Sequence, residues 1–158
     1  MKMKLASLLI FLMAFSQTPV LAVGGGHENS FFGRDAGASN IEGDNNSFFG
    51  SRAGYSNTLG NSNSFFGWRA GLHNTKGYNN SFLGSRAGYL NIEGDNNVFL
   101  GHHAGYYETG SNKLYISISD TSTPLIYGEF DNQYLLINGS LSVQEKIGIG
   151  ITDPSHLI

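Results

Sequence analysis

Apolar residues along this chain arrive in adjacent pairs at a fixed interval. Phe31-Phe32, Phe48-Phe49, Phe65-Phe66, Phe82-Leu83 and Phe99-Leu100 each sit two residues into a phrase that opens at Asn29, Asn46, Asn63, Asn80 and Asn97, 17 residues apart. With the opening Asn as position one, position five is always Gly, position eight Ala and position nine Gly, and the four complete copies carry Gly43, Gly60, Gly77 and Gly94 at position fifteen. The fifth copy is one residue short, with Gly110 a place early, and "NKLYI" at Asn112 to Ile116 reads as a sixth, decayed opening strand.

A period this short implies stacked units, each covering the one before. Helical units are excluded, because three glycines in every 17 residues would each cost about 1 kcal/mol in a helix and the remainder has no 3.6-residue apolar period. The pattern predicts an all-β fold, a parallel β-roll or β-solenoid of 17-residue coils followed by a small capping β-hairpin. Each coil is expected to hold a strand at "NSFFG", a corner at the variable pair after it, a second strand near "AGYSN" and a Gly-containing turn such as "IEGDN" or "TLGNS". Coils would stack every ~4.8 Å. Gly at positions nine and fifteen is expected to provide positive-φ turns. Asparagines at positions one and twelve, such as Asn46 and Asn57, would line the corners and offer their amides to backbone groups or to one another.

The doubled apolar residue then becomes informative. Successive strand residues point to opposite faces, so positions three and four cannot both face the interior. One row, either Phe31, Phe48, Phe65, Phe82 and Phe99 or Phe32, Phe49, Phe66, Leu83 and Leu100, must form an external apolar stripe larger than a soluble monomer usually leaves open. Packing against identical chains is the expected solution, with cover from the chain's own C-terminal segment as the alternative.

After the repeat, "TPLIYGEF" and "YLLING" around "DNQ" predict a hairpin beside "SLSV" and "KIGIG" that caps the open lower edge of the stack. At the other end, MKMKLASLLIFLMAFSQTPVLA has two lysines, an 11-residue mostly apolar run from Leu5 to Phe15 and a small-residue boundary at Ala22. That order reads as a cleavable secretory signal peptide and is too short for a membrane span. The expected organisation is a signal peptide at 1–22, a linker at 23–28, a five-coil roll at 29–112 and a C-terminal β segment and connector at 113–158.

Composition narrows function mainly by exclusion. Without Lys2 and Lys4 the formal charge becomes −5 (9 − 2 basic against 12 acidic side chains), and no basic run exists. Nucleic-acid binding is therefore not expected. Cysteine is absent, which leaves no disulfide framework and no thiol chemistry.

Candidate chemistry is sparse. His102-His103 is the sole adjacent histidine pair; read as strand neighbours, the two face apart and do not share a metal. The acidic turns at Glu42 to Asn46 and Glu93 to Asn97 are separated by "TLGNSN" and "TKGYNN", so no carboxylate ladder for calcium is expected. Arg52, Arg69 and Arg86 share position seven, after Asp35 and before His103. They form an external row that either keeps the surface soluble, the favoured reading, or contacts anionic glycans. Tyr55, Leu72, Tyr89 and Tyr106 share position ten, with Trp68 and Tyr107 nearby, and could stack on sugars or fill the corner. The candidate glycan contacts are thus Arg52, Arg69, Arg86, Tyr55, Tyr89 and Trp68. No paired carboxylates in a cleft, triad or phosphate loop is evident, so no catalytic residue, metal or cofactor is assigned and no enzyme is expected.

The phrase "NNSFFGSRAGYSNTLGNSNSFFGWRAG" resembles the head repeats of YadA-type trimeric autotransporter adhesins, and more closely the NTFLGxxAG-style repeats of secreted bacterial and tail-fibre-like proteins. The tail through "IGIGITDPS" is similar to the segment that leads those repeats into a stalk or chaperone domain, with Ile151 where Thr is usual. The 17-residue period departs from the shorter adhesin repeat, and no heptad stalk follows. The resemblance implies a secreted or cell-surface structural and adhesive module, homotrimeric, with a host or cell-surface glycan or protein as partner. A polysaccharide-binding or polysaccharide-processing β-solenoid of the tailspike kind is the alternative.

Overall fold

In the computed structural model, residues 25–144 are described; the signal-peptide reading of 1–22 and the "KIGIG" segment lie outside them. One eight-stranded sheet runs in chain order. Its first five strands, β1 (Ser30–Phe32), β2 (Ser47–Phe49), β3 (Ser64–Phe66), β4 (Ser81–Leu83) and β5 (Val98–Leu100), are parallel, one per coil. The register pairs Phe31 with Phe48, Phe48 with Phe65, Phe65 with Phe82 and Phe82 with Phe99. The chain is a β-solenoid of 17-residue coils.

The alternation of strand side chains decides which aromatic faces inward. Position three is the interior: Phe48, Phe65, Phe82 and Phe99 are fully buried and Phe31 nearly so. Their rings stack with centroids 4.7 to 4.9 Å apart and planes within 8° of parallel, so each ring repeats the coil spacing of a β-sheet. Beside each ring lies the position-eight alanine, also fully buried. One Phe and one Ala per coil make a thin apolar core, and asparagine fills the rest.

Seven asparagines are completely buried, which is tolerable only because nearly all their polar atoms are engaged. At position one, the Asn63 amide donates to the Gly77 carbonyl of its own coil at 2.7 Å, while its Oδ1 accepts the backbone N–H of Asn80 in the next coil at 2.9 Å. The same pair of bonds recurs for Asn29, Asn46, Asn80 and Asn97. At position twelve, Asn57 donates to Gly60 O at 3.0 Å and to Asn40 Oδ1 at 2.6 Å. The position-one side chains, with Asn40 and Asn57, thus close their own coil and tie it to a neighbour, whereas Asn74 and Asn91 bond only the coil that follows.

Two expectations about the backbone need correction. The "AGYSN" segment is a turn, not a second strand. Gly54 in it has φ of 56° and Asn57 N donates to Gly54 O at 3.0 Å, a conformation no extended strand accommodates. Inter-coil bonding continues there through single bonds such as Gly54 N to Ala70 O at 2.9 Å. The second correction concerns glycine. Position nine does take positive φ, and a Cβ on Gly54 would also collide with the Phe48 ring. Position fifteen does not take positive φ; Gly60 is needed because a Cβ would strike the Gly77 carbonyl of the next coil and the Asn57 side chain.

The stack ends in the predicted cap. β6 (Lys113–Ile116) adds a sixth parallel strand, and β7 (Ile126–Glu129) and β8 (Tyr134–Ile137) continue antiparallel. "SLSV" forms no strand. Tyr115, Tyr127 and Tyr134 meet edge to face across the junction. Glu129 accepts from Tyr127 at 2.5 Å, from Asn132 and from Lys113 at 3.1 Å, and these donors hold its carboxyl down at about 2.

Candidate functional site

Two surfaces of the stack carry what the interior does not use. The first is the position-four row. Phe32, Phe49, Phe66, Leu83 and Leu100 all point outward and are 39 to 56% exposed. Phe49 and Phe66 stack at 4.9 Å and Phe32 leans on Phe49 at 6.2 Å, so the row is ordered without being covered. Among the described residues the C-terminal segment does not fold back over it; it continues downward as β6 to β8. Below Leu100 the register leads to Ile116 and then Ile126. There the stripe opens into a groove of about 540 Å³ lined by Leu100, Ile116, Ile118 and Leu125. The sequence reading missed this groove; its signal was Ile116, which falls in the stripe's register once "NKLYI" is taken as a strand.

The second surface is the corner at positions six and seven. All four arginines of the chain, Arg34, Arg52, Arg69 and Arg86, lie there, whereas Glu42, Asp44, Glu93 and Asp95 lie in the Asn/Gly turn. The arginines and these acids thus lie at opposite turns of the coils, although Asp35 shares the arginines' corner and Lys76 the acids' turn. In the acid-rich turn the carboxylates serve the backbone: Asp44 Oδ1 accepts His27 N at 2.6 Å and Asp95 Oδ1 accepts Tyr78 N at 2.7 Å.

At the basic corner Arg52, Arg69 and Arg86 have φ of 57 to 59°, which costs a residue with a Cβ roughly 1 kcal/mol. Their backbone N–H groups bond one coil back, Arg69 to Ser51 O at 3.0 Å and Arg86 to Trp68 O at 2.9 Å, so successive arginines start ~4.8 Å apart. Unit charges at that separation repel by about 1 kcal/mol even in water. Only Arg52 has a carboxylate partner, Asp35 at 3.4 Å. The guanidinium carbons of Arg69 and Arg86 each lie 4.5 Å from the centre of the Trp68 ring, and the Nε atoms of both are buried without a partner. Arg86 Nη1 lies 3.2 Å from His103 Nε2. Burial, then the neighbouring His102 and Arg86, push the His103 imidazole below its ordinary pKa, which suits it to accept this bond as a neutral ring.

The remaining candidates fall into place around this corner. Tyr55 is exposed, with the Arg52 guanidinium 5.9 Å from its ring centre. Tyr89 stacks on Tyr106 at 4.7 Å, Leu72 is buried and Tyr107 is exposed. Position ten is thus mixed, filling the corner at Leu72 and offering ring surface at Tyr55. The His102-His103 expectation is corrected: the residues sit in a turn and their rings stack at 4.0 Å. Among the described residues no group of three or more His, Cys, Asp or Glu is placed to hold a metal.

The fold and these surfaces define a parallel β-solenoid with an apolar flank and a basic corner. No protein-family model, curated protein or solved structure matches the chain.

Proposed function

We propose that this chain is a secreted or cell-surface structural and adhesive module that works as a homo-oligomer, a trimer by its resemblance to adhesin head repeats. The observation that carries the reading is the outward row of Phe32, Phe49, Phe66, Leu83 and Leu100, ordered by stacking yet 39 to 56% exposed. The row and the Ile116 groove below it form a continuous apolar face. Such a face, repeated in register, is buried most economically against the same face of another copy. Secretion rests on the character of residues 1–22.

Light scattering on the chain lacking residues 1–22 tests the oligomer. A mass three times that of one chain is expected, and a monomer at micromolar concentration overturns the reading. Phe49→Ser with Phe66→Ser should yield folded monomers by circular dichroism. Phe48→Ser with Phe65→Ser should instead unfold the coil, and equal effects from the two pairs would count against the division of labour between the rows.

A further inference from the structure

Local backbone preference does not explain the arginines of position seven. Two positions of every coil adopt the left-handed conformation without being glycine. At position seventeen the residues are Asn45, Ser62, Asn79 and Asn96, with φ of 56 to 57°, the small polar types that accept this conformation most readily. At position seven, with the same φ, the central three coils carry Arg52, Arg69 and Arg86. A long cation there gains nothing from the turn and repels its neighbours in the adjacent coils. The guanidiniums are also held in place: two lie against the Trp68 ring, with their Nε atoms buried and unpartnered, and Arg86 is further tied to His103. Of the acids, Asp35 pairs with Arg52 and Asp120 acts on His103 at the foot of the row, whereas Glu42, Asp44, Glu93 and Asp95 lie at the other turn.

We propose that this row binds an acidic polysaccharide, sulfated or uronate-bearing, laid along the stack axis across Arg52, Arg69 and Arg86. Three arginines whose backbones repeat every ~4.8 Å span about 10 Å, so a single narrow strand along the stack meets all of them. Guanidiniums match sulfate and carboxylate oxygens with paired N–H donors. Tyr55, exposed beside Arg52, borders the row and suits the apolar face of a sugar ring, while Trp68, with both guanidiniums on its ring, fixes the cations. A narrow strand keeps clear of the carboxylates at Glu42, Asp44, Glu93 and Asp95, which a broad polyanion such as a duplex would meet. The site supplies a ligand class for the adhesive part of the proposed function and does not depend on the self-association.

Trp68 is the one tryptophan of the chain, so its fluorescence reports on the site directly. The full chain without residues 1–22 is titrated with heparin, with uncharged dextran and with single-stranded poly-dT. Expected are a saturable change in emission with heparin alone and a binding constant that falls with salt at a log–log slope of about two to three. Arg69→Asn with Arg86→Asn should weaken heparin binding at least tenfold and melt no lower than the parent. Arg69→Lys with Arg86→Lys should keep part of the affinity, and Lys76→Gln in the other turn should change nothing. The proposal fails if heparin leaves the emission unchanged, if dextran or poly-dT binds as tightly, if Lys76→Gln weakens binding equally, or if the Asn pair unfolds the coil, which would make the arginines structural. A monomer that binds heparin overturns the self-association and leaves this site standing; a trimer that ignores heparin does the reverse.

Discussion

The stack and its cap share one sheet yet are stabilised in different ways. Each of β1 to β5 buries its central Phe and repeats the same asparagine bonds. β6 has no buried residue, β7 buries only Gly128, and β8 has three exposed residues of four. A repeated unit inherits a complete set of partners from its neighbours. The cap, being unrepeated, relies on the Tyr115, Tyr127 and Tyr134 contacts and on the Lys113–Glu129 ion pair at 3.1 Å. It also leaves Phe130, Leu135 and Leu141 51 to 63% exposed.

The largest expected contrast comes from truncating one apolar side chain in each region. Phe65→Ala removes a fully buried ring from the middle of the stack and should cost about 3–5 kcal/mol. Leu135→Ala on β8 should cost less than about 0.5 kcal/mol in a monomer. Urea denaturation of both variants makes the comparison, and similar midpoints would show that the stack is not the stable region.

Next in size is the loss of a polar tie. Asn63→Ala leaves the Asn80 N–H and the Gly77 carbonyl without their partners, and should cost about 2–4 kcal/mol at one to two kcal/mol per orphaned group. Hydrogen exchange should show the Asn80 amide exposed. Retained protection there would mean that another group takes over the bond.

The smallest effect is on pH, and it should be confined to the cap. Glu129 is held at about 2, first by Tyr127 and then by Asn132 and Lys113, below its value in an unfolded chain. Its contribution is fully present above the unfolded carboxylate range, about 4.3, and is lost as pH falls through the folded value. Burial and the bond to Glu108 raise the Tyr115 hydroxyl, so its contribution is present below about 10 and is lost on further rise. Amide exchange in β7 and β8 should quicken between pH 4 and pH 2 while β2 to β4 stay protected, and Glu129→Gln should abolish the difference.

Much of this architecture is readable from spacing alone. The 17-residue interval sets the coil, the adjacent Phe pairs require two faces, and "NKLYI" with "TPLIYGEF" marks the change from stack to cap. What spacing does not encode is the sign of φ away from glycine. Arg52 in the left-handed region runs against residue preference, so the corner extends further than its sequence suggests and no second strand forms. Gly60 and Gly54 look alike in the repeat, but one is required by a neighbouring carbonyl and the other by both conformation and the Phe48 ring. The histidine pair was misread for the same reason, since a turn can bring adjacent rings together where a strand would part them. The basic corner was visible as a column of arginines, but their attachment to Trp68 and His103 depends on that turn.

The asparagine bonds have a consequence for length. Because Asn46, Asn63 and Asn80 bond only their own coil and its immediate neighbours, nothing in the interior registers how many coils there are. The molecule is in effect a ruler graduated in whole steps of 17 residues, each worth ~4.8 Å of height. Excising residues 63–79 should shorten it by one graduation and rejoin Ser62 to Asn80 in an unchanged setting, whereas removing a single residue would put every mark beyond it out of line.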